Sequence, residues 1–304
     1  TPKSTVTVNQ LLDEWLASKA RLKPKSVEAA EDAAVAVRAK WGNMLAADVD
    51  SADVQAWLNA EPCSPSRLHK LSQCLGGCMT IAVRRKVIDQ SPCANLTLPA
   101  EEAHEPIYLS TKQVAAIASN AHGWGRDRRL ESRLDAYWSP MIWFMATTAV
   151  RIGECCALDV GSITRRTVRG KKVWRVRVVV SKTEKPRDVP VSAEMIALLD
   201  LERPASDPLF VTPLGHRVLK DSFRARVWQR ALTAAKLGDI GLRIHDLRHT
   251  AISWAIADGA DVKMVQLMAG HRSAKTTLDV YGHLWEGGLD DISALMGKRV
   301  DRRN

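Results

Sequence analysis

Five side chains toward the middle and end of the chain have the right chemistry to form one site. His245 and Arg248 stand three apart in IHDLRHTAISWAIADG, and His271 follows Gly270 at the end of VKMVQLMAGH. Tyr281, one of only three tyrosines in 304 residues, lies beyond them in TTLDVYGHL, and Arg151 lies far upstream in TTAVRIGECCAL. Two guanidiniums can each donate paired hydrogen bonds to the oxygens of an anion. Imidazoles can add donors to the same anion or carry a proton. A phenol, with an ordinary pKa of ~10, becomes a nucleophile once a base or nearby cations help to remove its proton. Singly, each piece has a plain structural explanation. An H-x-x-R pair on a helix is usually satisfied or solvated, and a tyrosine at a helix edge usually packs with its hydroxyl in water. It is the set, in this order, that calls for chemistry.

The composition bounds what that chemistry meets. Lys and Arg number 44 against 34 Asp and Glu, a net charge of +10 and a pI near 9.5, which favours a polyanionic partner. The excess is localised: residues 101–240 carry 23 basic and 16 acidic groups, and Arg165 to Arg187 holds ten basic residues and one acid, Glu184. No apolar run approaches the ~20 residues a bilayer needs. The first 30 residues carry Lys3, Lys19, Arg21, Lys23 and Lys25 without an apolar signal region. A soluble intracellular protein is expected, and Thr at position 1 is consistent with removal of something upstream. The six cysteines form no C-x-x-C pair or Cys/His quartet, so buried reduced thiols are expected and no metal. No Gly-rich phosphate loop and no carboxylate cluster for magnesium appear either.

The elements that must position these groups fall into two parts. Val8, Leu11, Leu12, Trp15 and Leu16 share one helical face, and further helical stretches run over 25–40, 50–60 and 66–85, with breaks at Pro24, Pro62 and Pro65. Residues 1–95 therefore read as a helical bundle. Residues 96–107, with Pro99, Pro106 and three glutamates, read as a linker, and 108–304 as a second domain. There LSTKQVAAIA is a helix capped by Ser110 or Thr111, and YWSPMIWFMATTAV is a strongly apolar one. Over 173–178 the period changes to two: Val173, Arg175 and Arg177 face one way, Trp174, Val176 and Val178 the other. SKTEKP reads as the turn into RDVPV, and helices resume from about 190 to the end. The fold class is mainly α with a small antiparallel β-sheet in the second domain, whose ribbon carries most of the positive charge.

Taken together these positions resemble the tyrosine recombinases, the phage-integrase type of site-specific DNA recombinase. The family pattern is an Arg in a T-G-x-R-x-x-E-like segment, a Lys in a β-hairpin, H-x-x-R, G-H, and a Tyr in T-x-x-x-Y-x-H. Here they are Arg151 with Glu154, Lys182, His245 with Arg248, Gly270-His271, and Thr277 to Tyr281 with His283. The departure is Ala149 where the family usually has Gly, a methyl that tightens the turn before Arg151.

The resemblance implies attack of Tyr281 on a DNA phosphodiester to give a 3′-phosphotyrosyl bond, with no cofactor. Arg151, Arg248, His245 and His271 would bind the phosphate, and His245 would be the base for the phenol. Lys182, preferred over Lys171, Lys172 and Lys185, would protonate the leaving 5′-oxygen. Glu154 would orient neighbouring groups, and His283 would be a supporting or merely exposed residue. Arg165, Arg166, Arg169, Lys171 and Lys172 would contact backbone phosphates. The resemblance further implies a two-domain C-shaped clamp on double-stranded DNA, a homotetramer during strand exchange, and an accessory DNA-bending protein or excision factor. It places the protein in a bacterial cytoplasm with the nucleoid. The tail, 287–304, offers Leu289, Ile292, Leu295 and Met296 for docking in trans or in cis. An apolar helix beginning by residue 8 leaves no room for an arm-binding domain, so either this is a simpler recombinase or that domain was cut away. Integration or excision of phage-type DNA is the first reading. An Xer-type dimer resolvase shares the motifs, and a type IB topoisomerase or a non-catalytic DNA-binding protein are the further alternatives.

Overall fold

The computed structural model describes residues 5–22, 24–101, 104–122, 137–179, 186–285, 293 and 296–297. The chain divides into two compact units, Thr1–His104 and Glu105–Asn304. The first contains α1 (Val8–Lys19), α2 (Pro24–Trp41), α3 (Ser51–Ala60) and α4 (Pro65–Arg84). Thr7 starts α1 with a capping box closed by Gln10, and Asp50 caps α3 through Ala52 N. The apolar faces meet in one core in which Leu11, Leu12, Val37, Leu71 and Leu75 are fully buried. Thr97 and Pro99 are tied back to this unit by Gln55 and His69.

The second unit is mostly helical around a three-stranded antiparallel sheet. Its helices before the sheet are α5 (Thr111–Ser119), α6 (Ser139–Thr148) and α7 (Ile152–Ala157). Ser110 caps α5, with Gln113 closing the box. The strands β1 (Ile163–Val168), β2 (Lys171–Val178) and β3 (Arg187–Val191) pair in the order β1-β2-β3. Arg169 and Gly170 form the two-residue β1–β2 turn with φ of 48° and 76°, the positive pair that a tight hairpin of this twist requires. Val176 and Val178 face the core while Arg177 faces out, as the alternation predicts.

After α8 (Ala193–Ile196), the expected run of helix is interrupted. Residues 197–219 are largely turns, broken by Pro204, Pro208, Pro213 and Gly215, with an isolated bridge between Val211 and Arg217. Helix returns at α9 (Lys220–Phe223), passes through a π-helical stretch, Arg224–Trp228, and continues as α10 (Gln229–Ala234). The last helices are α11 (Asp246–Ala257), α12 (Val262–Ala269) and α13 (Ala274–Tyr281). Ser273 caps α13 by accepting from Lys275 N. A large core surrounds α6, with Ile142 and Phe144 fully buried, and a smaller cluster joins Ala149, Ala251, Ile252, Val265, Ala269 and Tyr281. Among the described residues, no helix is long and apolar enough to cross a membrane. Leu289, Ile292 and Leu295 of the tail lie outside the described residues, and Met296 is exposed.

Candidate active site

The smaller cluster is where the chemically capable residues converge, and backbone geometry brings them there. Helix α6 ends at Ala149, which takes a left-handed conformation, φ 56° and ψ 18°, and turns the chain so that Arg151 opens α7. Helix α12 ends the same way at Gly270, φ 70°, and releases His271. One guanidinium spans both turns. Arg248 on α11 donates from Nη1 to the carbonyl of Ala149 and from Nη2 to that of Ala269, each at 2.6 Å. Arg248 is 2% exposed, whereas His245, three residues earlier, keeps part of its surface in solvent. His245 sits at the cap position before α11, while Arg248 points inward, where two buried carbonyls offset its desolvation.

A second network steadies Arg151. Glu154 accepts from the Arg151 backbone N at 2.9 Å and from its Nη1 at 3.0 Å. The same carboxylate receives Arg187 Nη1 at 3.0 Å and Nη2 at 2.6 Å, while Arg187 Nε donates to Met268 O. Burial alone would raise the Glu154 pKa, but the hydrogen bonds and charges of Arg187 and Arg151 hold it below the usual carboxylate range. Gly270 fits this network closely: a Cβ there would lie 2.8 Å from Arg187 Cδ. Arg187 entered the sequence reading only as the end of the basic run, with no role at the site, yet its strand carried a signal. It alternates with Val189 and Val191 on the buried face of β3, and a cation on such a face needs a partner.

The nucleophile candidate lies within this field. Tyr281 ends α13, is 1% exposed, and shares a hydrogen bond of 2.7 Å with His249 Nδ1. Burial pushes its phenol well above the ordinary value, against the opposing pull of Arg248 and Arg151. His271 stacks along Tyr281, with ring centroids 6.3 Å apart at 14°, and its Nδ1 lies 2.9 Å from Thr277 Oγ1. Burial and then the charges of Arg248, Arg151 and Arg187 push the His271 imidazole down to about 4. His245 is likewise held at about 4, by desolvation from the surrounding protein first and then by His249, Arg248 and Arg151. For Arg248 itself, burial and then Arg151 and Arg187 lower the guanidinium to about 10. Two neutral imidazoles, a protonated phenol and a group of guanidiniums form a site whose chemistry suits an anion.

The remaining expected residues are placed less centrally. His283 is exposed, with its ring 6.2 Å from that of Tyr108. Lys182 and Lys185 lie outside the described residues. Arg165, Arg166, Arg169, Lys171 and Lys172 are all exposed on the β1–β2 hairpin. Arg165 stacks over Trp174 at 5.5 Å, and Arg166 shares Asp188 with Arg177 at 3.2 and 3.1 Å. His249 and Thr277 join the site without having been assigned a role in it. His249 follows Arg248 directly, and Thr277 lies one turn before Tyr281, but adjacency in sequence did not reveal either hydrogen bond.

Comparison with known proteins gives this arrangement a context. The sequence model of the phage integrase family matches residues 108–286. A tyrosine recombinase XerC of Corynebacterium efficiens is 29% identical over 244 residues, covering 76% of this chain and 73% of that protein. XerC of Chromohalobacter salexigens is 26% identical over 273 residues, 84% of each. Among solved structures, a lambda integrase dimer (residues 75–356) bound to a COC′ core site superimposes with a TM-score of 0.70 at 15% identity, covering 89% of this chain and 97% of that one. The Tn1549 transposon integrase in complex with circular intermediate DNA gives 0.66 at 16% identity, covering 91% and 95%.

Proposed function

The chain belongs to the phage integrase family of tyrosine recombinases, enzymes that break and rejoin DNA strands, and from this premise we propose that Tyr281 is its nucleophile in site-specific recombination of phage-type mobile DNA. The observation that carries this reading is that Tyr281 packs in one cluster with Ala149 and Ala269, the two residues whose carbonyls the Arg248 guanidinium holds at 2.6 Å. In the proposed reaction the phenol oxygen attacks phosphorus, and charge grows on the non-bridging oxygens as the pentavalent state forms. Arg151 and Arg248 hold those oxygens, with His245 and His271 as further donors. Losing one such preorganised donor would raise the barrier by about 3 kcal/mol. The aryl phosphoester conserves the energy of the broken bond, so a second strand's 5′-hydroxyl can displace the tyrosine without a nucleotide cofactor. Lys182 protonates the departing 5′-oxygen. Double-stranded DNA is the substrate, and exchange proceeds in a homotetramer assisted by a DNA-bending or excision factor.

The test uses nicked suicide duplexes tiling the DNA that flanks the coding sequence, scored for a protein–DNA adduct. The wild type is expected to form one and Tyr281→Phe none; an adduct surviving in Tyr281→Phe would transfer the role to Tyr108 or Tyr137. A substrate with sulfur at the bridging 5′ position, which leaves without a proton, should selectively rescue Lys182→Ala. Dimer resolution is the second reading, favoured by the XerC names of the sequence relatives. Resolution of a plasmid dimer through a chromosomal site, with no exchange between phage-type attachment sites, would select it.

A further inference from the structure

Building on Tyr281 as nucleophile, we infer that His249, and not His245, accepts the phenol proton during cleavage. His249 stands directly after Arg248 and one turn beyond His245 on α11. Its Nδ1 lies 2.7 Å from the Tyr281 hydroxyl, within the range a general base needs before any rearrangement.

The neighbouring candidates are committed elsewhere. The carboxylate of Glu154 is engaged by Arg151 and Arg187. Asp246, fully buried, accepts from Arg243 N at 2.7 Å and from Ile107 N at 3.4 Å. His271 turns its Nδ1 to Thr277 and lies alongside the tyrosine ring in a near-parallel stack. His245 meets the ring of His249, edge to face with centroids 5.0 Å apart, rather than the phenol.

A buried hydroxyl needs some partner, and a backbone carbonyl would meet that need. What distinguishes His249 is the charge around the bond it makes. Burial keeps the phenol protonated, and Arg248 and Arg151 pull against it toward the phenolate. An adjacent nitrogen able to carry the proton supplies what the site otherwise lacks. In the forward step the Tyr281 oxygen forms its bond to phosphorus, and its proton moves to His249 Nδ1. The P–O5′ bond breaks, and the 5′-oxygen takes a proton from the general acid. The return step runs each transfer backwards as the incoming 5′-hydroxyl displaces the tyrosine. The imidazolium arises only when the phosphate's negative charge has entered between the arginines, so α11 delivers one ligand for the phosphate and the acceptor for the proton from consecutive residues.

Single-turnover adduct formation on the duplex that the wild type cleaves separates the roles. His249→Asn retains an acceptor for the phenol but cannot take its proton, and His249→Ala removes both functions. Both are expected to slow adduct formation by about 10²–10⁴-fold with duplex affinity retained, and added imidazole should restore part of the His249→Ala rate. The bridging 5′-sulfur substrate should not rescue His249→Asn, because the defect lies in the attacking group. His249→Asn cleaving within about threefold of wild type, the range an intact base would give, overturns the assignment, as does its rescue by sulfur. Should His249→Ala fail to fold, His249→Asn and the wild type still decide. In the DNA-free protein, ¹⁵N spectra of histidine should show His249 Nδ1 as an unprotonated acceptor whose resonance moves in Tyr281→Phe. A proton resident on Nδ1 overturns the proposal without DNA. An adduct formed by Tyr281→Phe strikes instead at the nucleophile on which it rests.

Discussion

Glu154 serves two guanidiniums with one carboxylate, and the two sides are unequal. Arg187 is 8% exposed and takes both oxygens, whereas Arg151 keeps 31% exposure and one side-chain bond. Glu154→Gln leaves a buried cation facing other cations, a loss of roughly 3–5 kcal/mol for a broken buried pair. Arg187→Met removes a cation from a crowded positive field, and Glu154 retains the Arg151 side chain and backbone N–H. Urea unfolding should therefore show Glu154→Gln to be the more damaging by at least about 1 kcal/mol. Equal losses would mean that the field of Arg151 and Arg248 is screened. At this scale the sequence disclosed residue types and order, so the motif residues were visible as a set. It did not disclose Arg187 as the partner of Glu154 or His249 as the partner of Tyr281, because contacts across 33 and 32 residues depend on packing, not on spacing.

Two helix ends set the site, and they tolerate change differently. At Gly270, alanine adds left-handed strain and a Cβ 2.8 Å from an Arg187 side chain that Glu154 holds in place. Strain and overpacking together should cost roughly 2–4 kcal/mol, read as a lower melting temperature of the full chain. Ala149 already carries the strained conformation, and its methyl is fully buried. Ala149→Gly would relieve about 1 kcal/mol of strain. It would lose about 0.8 kcal/mol of burial and roughly 0.5–1 kcal/mol in unfolded-chain freedom. The expected result is no gain, or a loss of up to about 1 kcal/mol; a clear gain would show that the strain dominates. The elements themselves were largely legible. Apolar periodicity located α1, a continuous apolar run located α6, and alternation located β2. Residues 197–219 depart from the expected helix because their prolines sit in turns, held by local side-chain bonds such as Arg203 to Pro208 O and Leu209 O.

At the level of the whole molecule, charge governs both stability and binding. His245 and His271 titrate near 4 when folded against an ordinary 6.5. Above 6.5 both are neutral in either state. Between 6.5 and 4 the unfolded chain takes up protons that the folded chain refuses, so stability falls as pH falls through that window. The lowered Glu154 acts in the same direction. Melting temperatures of the full chain should drop between pH 7 and 4.5, and replacing both histidines by Asn should flatten the drop; a rise would contradict the assigned shifts. Binding follows the other side of the same imbalance. The net charge is +10, with ten of the basic residues between Arg165 and Arg187, and the hairpin that carries Arg169, Lys171 and Lys172 is exposed. If these three meet DNA phosphates, replacing them with Ala should reduce the slope of log affinity against log salt by roughly 0.9 each, measured by anisotropy on a generic duplex from about 50 to 200 mM salt. Arg166 shares Asp188 with Arg177, so part of its charge is already neutralised in the free protein and Arg166→Ala should change the slope less than Arg169→Ala. An unchanged slope in the triple variant would move the phosphate contacts off this hairpin, leaving its concentrated charge to some other polyanion.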